Sequence, residues 1–341
     1  MSKSGRGLIP PGLAFIADKI NSKNNILGIP GEDKAKWAAG LEFSKDNSTI
    51  FFAGCGYQFS AMLEPLVKLV KQADKMSLNH EMAVGMAGMT GKLGIDAAGI
   101  FTKVASREKD SDAPVLRDAV KVLQALGVDI GYLGKDEPCC GAPLYHMGLH
   151  KEFHANAEKA HKKLKSHGVK RIIGVVPSCT YALRDIFSRF VPDHNIEVRH
   201  FIDVVAENIG HHKFKYPHKV KVVYHDPCQL GRYMGHFDQP RKVINAIEHV
   251  ELVETQWTSG QWSTCCGGGG GFEVVFPDMS HILAEARVKE LLATEPDIIA
   301  THCPGCLMQL RSGLKQLKND SVQVVDLATL LAASLPKANT K

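Results

Sequence analysis

The stretch DIIATHCPGC (297–306) is a short apolar run followed at once by two cysteines, and RIIGVVPSC (171–179) has a similar form. Runs of about four to eight aliphatic or β-branched residues bounded by proline or glycine are typical of buried strands. A helical segment follows each stretch, beginning at Thr180 or at Leu307. Strands that alternate with helices in this way predict an α/β fold around a parallel sheet.

A Cys-Cys-Gly triplet occurs at 139–141 and again at 265–267. At the same distance before the two triplets stand Pro114 and Pro240, each near the beginning of an apolar-periodic run. Proline suits the first turn of a helix, because its missing N–H would have no partner there. The repetition indicates that the chain is a duplication of one structural unit.

The duplication sets the predicted domain organisation. Residues 1–45 form a connector-like segment, 46–212 the first cysteine-rich domain and 213–341 the second, and the polar stretch 211–218 is the expected linker. The fold is predicted to be α/β, with two similar halves that each contain a small, mainly parallel sheet flanked by helices. The first half carries an insert at about 65–111 that is rich in methionine. Its methionines suit either extra helices over the sheet or a partner-docking or channel-lining element.

The composition is that of a soluble globular protein. The 341 residues are 44% hydrophobic and 23% charged, with a net charge of +5. No block of like charge suggests nucleic-acid binding. The chain shows neither a signal-peptide pattern nor the roughly 18–20 apolar residues that a membrane helix needs. A cytoplasmic protein without a membrane span is expected.

The cysteine count points to metal or redox chemistry. An odd number of cysteines without a secretory signal argues against a disulfide scaffold. In a reducing compartment, clustered thiols more often hold a metal or take part in redox reactions. The nine cysteines are Cys55, Cys139, Cys140, Cys179, Cys228, Cys265, Cys266, Cys303 and Cys306.

The second half contains the fuller cysteine set. Five thiolates are one more than a tetrahedral zinc site uses, whereas iron–sulfur clusters are held by cysteine thiolates. We therefore predict an iron–sulfur cluster in this half, with metal ligands Cys228, Cys265, Cys266, Cys303 and Cys306.

The glycine run 267–271 follows the second cysteine pair directly. Residues without Cβ let the backbone approach a bulky anionic cofactor and direct N–H groups at it, so Gly267 and Gly268 are predicted to contact the cofactor. The run lacks the GK[ST] ending and the GxGxxG spacing of nucleotide-binding loops, which argues against nucleotide binding.

The duplicated pattern C…CCG…CxxC resembles the cysteine-rich CCG-domain family, which includes the B-type and D-type subunits of heterodisulfide reductase and sulfur-oxidising heterodisulfide reductase-like complexes. The strings CCGAPLYHMG (139–148) and HDPCQLGR (225–232) are similar to that family as well, and the resemblance covers roughly residues 25–335. NILGIPGEDKAKW (25–37) resembles the connector that follows a ferredoxin-like domain in longer relatives. The resemblance thus implies a separate ferredoxin-like iron–sulfur partner, corresponding to the C-type subunit of such reductases, together with a flavoprotein subunit.

The resemblance also implies a function. Each CCG site would hold a noncubane [4Fe-4S] cluster, and the cluster cysteines would catalyse redox chemistry of a disulfide, thiol or persulfide substrate. The protein would then be an oxidoreductase acting on sulfur groups, active in a complex. Two other interpretations stay open. One is an electron-relay subunit of a flavoprotein hydroxyacid oxidase or quinone-linked complex, and the other is a zinc-structured scaffold.

The first half departs from the family pattern, because Val176 stands where the second half has Cys303. Four thiolates suit either a [4Fe-4S] cluster or zinc, so both are kept for this site. His225 and His302 lie close to site cysteines and are candidate proton donors, or else ordinary hydrogen-bonding residues. The predicted metal ligands of the first half are Cys55, Cys139, Cys140 and Cys179.

Overall fold

The computed structural model describes residues 9–59 and 112–336, so the predicted insert lies outside the described residues. The described part contains seven strands. They are β1 (Thr49–Phe52), β2 (Arg171–Gly174), β3 (Glu197–His200), β4 (Phe214–Tyr224), β5 (Ile247–Val253), β6 (Ile298–Thr301) and β7 (Gln323–Asp326).

The strands form two sheets, one in each half. The first has the order β1-β2-β3 and the second the order β5-β4-β6-β7. All of these pairings are parallel. Parallel neighbours require crossover connections, which are helical here. The predicted α/β architecture of two similar halves with parallel sheets is confirmed.

The two sheets share one topology, in which β1, β2 and β3 correspond to β4, β6 and β7. The position of β5 is taken in the first sheet by the backbone around Gly131, which accepts from Phe51 N at 2.9 Å and donates to Thr49 O at 2.8 Å. The sheet registers pair Gly174 with His200 and Thr301 with Asp326. Counting onward from the ends of β2 and β6 places Val176 and Cys303 at equivalent positions.

Helices cover the sheets on the described part of the chain. Long crossover helices follow the cysteine pairs, and further helices begin just beyond β2 and β6, at the loops that carry cysteines. They are α1 (Pro11–Lys23), α2 (Gly31–Lys34), α3 (Ala113–Ala125), α4 (Ala142–His146), α5 (His150–Ser166), α6 (Pro177–Tyr181), α7 (Phe187–Phe190), α8 (Phe201–Asn208), α9 (Asp238–Asn245), α10 (Phe272–Val275), α11 (Pro277–Leu292), α12 (Pro304–Gln316) and α13 (Leu327–Ala333).

Helix α3 illustrates how the sequence pattern becomes structure. It has proline in its first turn, as predicted, and Gly127 beyond its end has a φ of +74°. Its apolar stripe includes Leu116, Val120 and Leu123, which are fully buried. Burying a large aliphatic side chain stabilises the folded state by about 1.5–3 kcal/mol, so this stripe fixes the helix against the sheet.

The expected linker at 211–218 is wrong for most of its length, because β4 already begins at Phe214. The backbone there pairs with β5, starting from Phe214 opposite Ile247, while Lys215 and Lys219 are exposed. Polar side chains on the solvent side of a strand look like a linker in the sequence, although the backbone of Phe214 and Lys215 is already paired with β5.

The two halves are packed together. Arg311 of the second half donates to Asp112 of the first at 2.6 Å, and Thr329 donates to Asp118 at 3.0 Å. Buried apolar residues of both halves belong to one core. Among the helices of the described residues, none has the length and apolar character to span a membrane.

Candidate metal centres

The structure brings the four predicted ligands of the first half together, in what we call the first centre. Cys55 follows β1, Cys139 and Cys140 precede α4, and Cys179 lies in α6. The Sγ atoms of Cys140 and Cys179 are 3.1 Å apart. All four cysteines are buried. Hydrogen bonding to Cys139, together with burial, raises the pKa of the Cys55 thiol well above its ordinary value.

Backbone contacts shape the first centre around its Cys-Cys-Gly triplet. Gly141 has a φ of +70°, and its N–H donates to the Cys139 sulfur at 3.5 Å. The Cys139 N–H donates to Asn24 at 2.9 Å, and its carbonyl accepts from Asn156 at 3.0 Å. A Cβ on Gly141 would lie 2.5 Å from the Asn156 amide nitrogen. Glycine is therefore required here by both its φ and its surroundings.

A buried carboxylate and a buried amine stand behind the first centre. Glu137 accepts from the N–H groups of Ala53 at 2.8 Å and Gly54 at 3.1 Å. The Lys34 amine donates to the Glu137 carbonyl, and both side chains are buried. Burial raises the pKa of Glu137 to about 7, against the opposing effect of Lys34 and the two N–H groups. Sequence reasoning missed this pair.

Val176 closes the first centre on the side where the second half has a cysteine. Its side chain is 2% exposed. A Cβ on Gly54 would lie 2.8 Å from the Cys179 sulfur and 3.3 Å from a Val176 methyl carbon. The Val176 side chain and the Cys179 sulfur therefore both pack against the backbone at Gly54. The first centre is thus enclosed by apolar side chains and the Glu137–Lys34 pair.

The second centre contains the five predicted ligands of the second half and is more open. The Sγ atoms of Cys266 and Cys306 are 3.2 Å apart and buried. Cys265 is exposed, and Cys228 and Cys303 are half-buried. Burial raises the pKa of the Cys228 thiol to about 11.

The glycine run wraps around the second centre. The Gly267 N–H donates to the Cys265 sulfur at 3.3 Å, as the equivalent Gly141 does in the first centre. A Cβ on Gly268 would lie 2.7 Å from Gln309 and 3.1 Å from the Gly305 carbonyl in α12. The run therefore lies against the helix that carries Cys306, and contact of Gly267 and Gly268 with a cofactor stays a prediction.

His225 lies beside the second centre. One of its ring nitrogens is within 4.8 Å of the Cys266 and Cys306 sulfur atoms, and its side chain is buried. Hydrogen bonds with Cys265 and Cys306 lower the pKa of Cys266 well below its ordinary value, and a hydrogen bond with His225 adds to this. Arg287, which sequence reasoning missed, donates to His225 Nδ1 at 3.1 Å.

His302 points in a different direction. It is fully buried, and its Nδ1 lies 2.8 Å from an Asp326 carboxylate oxygen. The other oxygen of Asp326 accepts from the Tyr57 hydroxyl at 2.7 Å. The ring of His302 also lies 5.2 Å from the ring of His200. These contacts direct His302 into the packing between the halves.

The two centres adjoin. A Cβ on Gly56, next to Cys55, would overlap the side chain of Pro304, next to Cys303. The ligand loops of the two halves are therefore in van der Waals contact. Each centre also has a cationic side chain that donates to a backbone carbonyl two residues before the cysteine pair. Lys34 donates to the Glu137 carbonyl at the first centre, and Arg232 donates to the Ser263 carbonyl at the second.

These features fit an iron–sulfur cofactor. The donors are thiols, their surroundings exclude water at the first centre, and backbone N–H groups point at sulfur in both halves. Hydrogen bonds to sulfur are a common feature of iron–sulfur sites. Buried cations nearby would offset the negative charge that thiolates and sulfides carry.

Comparison with known families gives the same assignment for both halves. The cysteine-rich domain, CCG, matches residues 106–184 and 222–311. The chain belongs to the cysteine-rich CCG-domain family. This CCG protein is 36% identical over 221 residues to the D subunit of the dihydromethanophenazine:CoB–CoM heterodisulfide reductase of Methanosarcina mazei, covering 63% of the chain and 54% of that relative.

Two further relatives differ in the activity that their names give. The EtfAB:quinone oxidoreductase of Syntrophomonas wolfei is 33% identical, over 62% of this chain and 30% of its own length. The B subunit of the fumarate reductase (CoM/CoB) of Methanothermobacter marburgensis is 29% identical, over 62% of this chain and 41% of its own. The chain thus spans about half or less of these relatives. Together they support an iron–sulfur cluster and an oxidoreductase role beside other subunits.

Proposed function

We propose that this CCG protein is an iron–sulfur subunit of a heterodisulfide reductase-like complex, in which the second centre carries out disulfide, thiol or persulfide chemistry. The observation that carries the proposal is the difference in exposure between the centres. Cys265 is exposed and Cys228 and Cys303 are half-buried, whereas every cysteine of the first centre is buried. A substrate sulfur can therefore approach the second centre, and the first is suited to relaying electrons.

Each of the two centres would transfer one of the two electrons that the reaction needs. Reduction of a disulfide consumes two electrons and two protons and yields two thiols, and a ferredoxin-type carrier delivers electrons singly. Clusters bound at the two centres, of the noncubane [4Fe-4S] type at the second, would supply one-electron transfer and iron at which sulfur binds. The contact between Gly56 and Pro304 keeps the electron path between the centres short.

The chain's own residues would then control access and charge. Val176 and its neighbours exclude water and substrate from the first centre. At the second centre, the exposed Arg232 is held near Cys228 by its bond to Ser263 and would attract an anionic substrate. Protons for the released thiols can come from solvent, since the second centre is open to it.

The proposed partners are a ferredoxin-like iron–sulfur subunit of the C type and a flavoprotein subunit. The relative from Methanosarcina mazei is a reductase subunit, and it is longer than this chain. None of the nine cysteines forms a disulfide, which suits the reducing cytoplasmic location that we propose.

A second candidate function is an electron-relay subunit of a flavoprotein oxidase or quinone-linked complex. The similarity to the EtfAB:quinone oxidoreductase favours it, at 33% identity. In that case neither centre would bind substrate. The zinc-structured scaffold is a third interpretation, and the five-thiol second centre disfavours it because tetrahedral zinc uses four ligands.

The test is anaerobic purification, with iron, sulfide and zinc counted per chain, followed by paramagnetic resonance of the oxidised protein with and without added thiol. We expect iron at both centres and a thiol-dependent signal. The signal should disappear in Cys303→Ser and persist in Cys179→Ser, which removes a thiol from the first centre instead. A thiol-independent spectrum would favour the relay function, and zinc without iron would rule out both redox proposals.

A further inference from the structure

We propose that Arg287 is a positioning residue for the second centre. It would hold the His225 imidazole so that a ring N–H donates to the Cys266 sulfur, and this bond would raise the reduction potential of the second centre above that of the first. The inference rests on the proposed function, because it requires a redox-active cluster at the second centre.

Arg287 is buried and fully engaged. Among the described residues, its side chain is the largest with almost no exposure, at 1%. Nε donates to His225 Nδ1 at 3.1 Å, and Nη1 donates to Thr258 at 3.0 Å and to Glu290 at 2.7 Å. Nη2 donates to Ser263 Oγ at 3.3 Å. The planar guanidinium is therefore held in one orientation, with the Glu290 carboxylate offsetting its charge.

These contacts determine the histidine tautomer. A guanidinium has only N–H donors, so the Nδ1 atom that faces Arg287 has to accept. A neutral imidazole carries one proton, which then resides on Nε2. The backbone also fixes the residue, because the His225 N–H donates to Ala300 at 2.8 Å and its carbonyl accepts from Thr301 at 3.1 Å.

The imidazole lies beside two of the sulfur atoms. One of its ring nitrogens lies within 4.8 Å of both the Cys266 and the Cys306 sulfur atoms, close enough for a ring N–H to be directed at Cys266. A nitrogen that carries a proton is a donor and cannot ligate a metal. His225 is therefore assigned as a hydrogen-bond donor to a ligand, although its distance to two thiols would also suit a metal ligand.

The first centre has no such donor at the matching position. Phe52 stands three residues before Cys55, as His225 stands before Cys228, and it is fully buried. A phenyl ring cannot donate to sulfur. The nearby charged side chains are Glu137 and Lys34, of which the carboxylate faces the loop that carries Cys55.

The difference has a definite electrostatic consequence. Reduction adds negative charge to a cluster, and a hydrogen bond to a ligand sulfur stabilises that charge. The second centre therefore has the higher potential, and electrons that enter at the first centre run downhill to the second. That is the direction which substrate reduction at the open centre requires.

The experiment is a redox titration of the full chain, purified anaerobically, with both centres followed by paramagnetic resonance. Arg287→Met and His225→Leu should each shift the midpoint potential of the second centre to more negative values and leave the first centre and the iron content unchanged. The double variant should shift no further than His225→Leu, because Arg287 acts through the imidazole. His225→Gln, which retains an amide N–H, should restore part of the shift.

Arg241→Met is the matched control. Arg241 is half-buried and pairs with Asp226 at 2.7 Å and Glu254 at 2.7 Å, but it is bonded to no cysteine, so the potential should stay at the wild-type value. Unchanged potentials in both Arg287→Met and His225→Leu would overturn the inference, and so would loss of second-centre iron in His225→Leu and His225→Gln, which would make His225 a ligand. A second centre without iron in the wild-type chain would instead defeat the proposed function. If Arg287→Met does not fold, the two His225 variants still decide the inference.

Discussion

The two halves of the molecule have the same topology and the same Cys-Cys-Gly geometry, yet they enclose different centres. In each half a backbone N–H donates to the first cysteine of the pair, and the second cysteine lies beside the cysteine after the next strand, at 3.1 Å in one half and 3.2 Å in the other. The first centre is nevertheless sealed, and the second is open. The comparison teaches that the fold positions the sulfur atoms, whereas a few neighbouring residues set access and charge.

Three pairs of equivalent positions account for the difference. Val176 replaces a thiol with a buried apolar wall, where the other half has Cys303. Glu137 places a buried carboxylate where the other half has a serine. Phe52 fills, with an apolar ring, the position that His225 occupies in the second half. Val176 and Phe52 make the first centre more apolar, and Phe52 offers no donor to sulfur where the second half has an imidazole, which suits the relay role proposed for this centre.

The largest effect should come from removing a predicted ligand whose buried sulfur lies close to that of a second cysteine, as in Cys140–Cys179 and Cys266–Cys306. We expect Cys306→Ser to lose the iron of the second centre and keep that of the first, and Cys179→Ser to do the converse. The reason is that a hydroxyl is a poor replacement for thiolate in an iron–sulfur site. Iron and sulfide per chain measure the result. Loss of all iron in either variant would show that the centres do not assemble independently.

Exchanging the residues at positions 176 and 303 should have a smaller effect, because at least four thiols stay in place at each centre. Cys303→Val should retain iron at the second centre but abolish its response to added thiol. Val176→Cys should change the paramagnetic spectrum of the first centre and leave that of the second unaltered. If Val176→Cys leaves every signal as in the wild type, the equivalence of positions 176 and 303 does not extend to metal binding.

Much of this comparison was predictable from the sequence. The apolar runs before the cysteines predict strands because β-branched residues pack well in a buried sheet, and the repeated triplets predict which cysteines converge. Val176 was identified by matching the two strand–loop stretches, and the sheet registers support the same equivalence.

The surroundings of the centres were not predictable, because they depend on distant contacts. Lys34 meets Glu137 across 103 positions of the chain, and Arg287 meets His225 across 62. Lys34 lies in the connector-like segment 25–37, which does not reveal its partner, and Arg287 lies in no motif. A lysine or arginine in a helix ordinarily indicates a solvated face. The beginning of β4 at Phe214 was not predicted for a related reason. The pairing of a backbone cannot be recognised from exposed lysine side chains.

Removing the buried amine of the first centre should destabilise the fold. Lys34→Met removes the donor to the buried Glu137 carbonyl, and leaving a buried acceptor unpaired costs about 1–3 kcal/mol. We expect the free energy of unfolding of the metal-free chain to fall by about 2 kcal/mol in urea denaturation. Lys36→Met is the control, since Lys36 pairs with Asp33 at 2.5 Å but is 76% exposed. That variant should stay close to the wild type, and equal losses in the two variants would contradict the role of burial.

The first centre should also contribute a pH dependence to stability. The pKa of Glu137 is raised from 4.5 to about 7 by burial, so the folded chain retains a proton that the unfolded chain has lost between those values. Its stabilising contribution is therefore complete below pH 4.5 and is lost as the pH rises toward 7, by at most about 1.4 kcal/mol per pH unit.

Glu137→Gln should flatten the stability of the metal-free chain across that window in urea titrations. Asp136→Asn should not, because the hydrogen bond with Lys163 lowers the pKa of Asp136 and confines its effect to more acidic solution. A Glu137→Gln curve parallel to the wild type would mean that Lys34 keeps this carboxylate charged throughout.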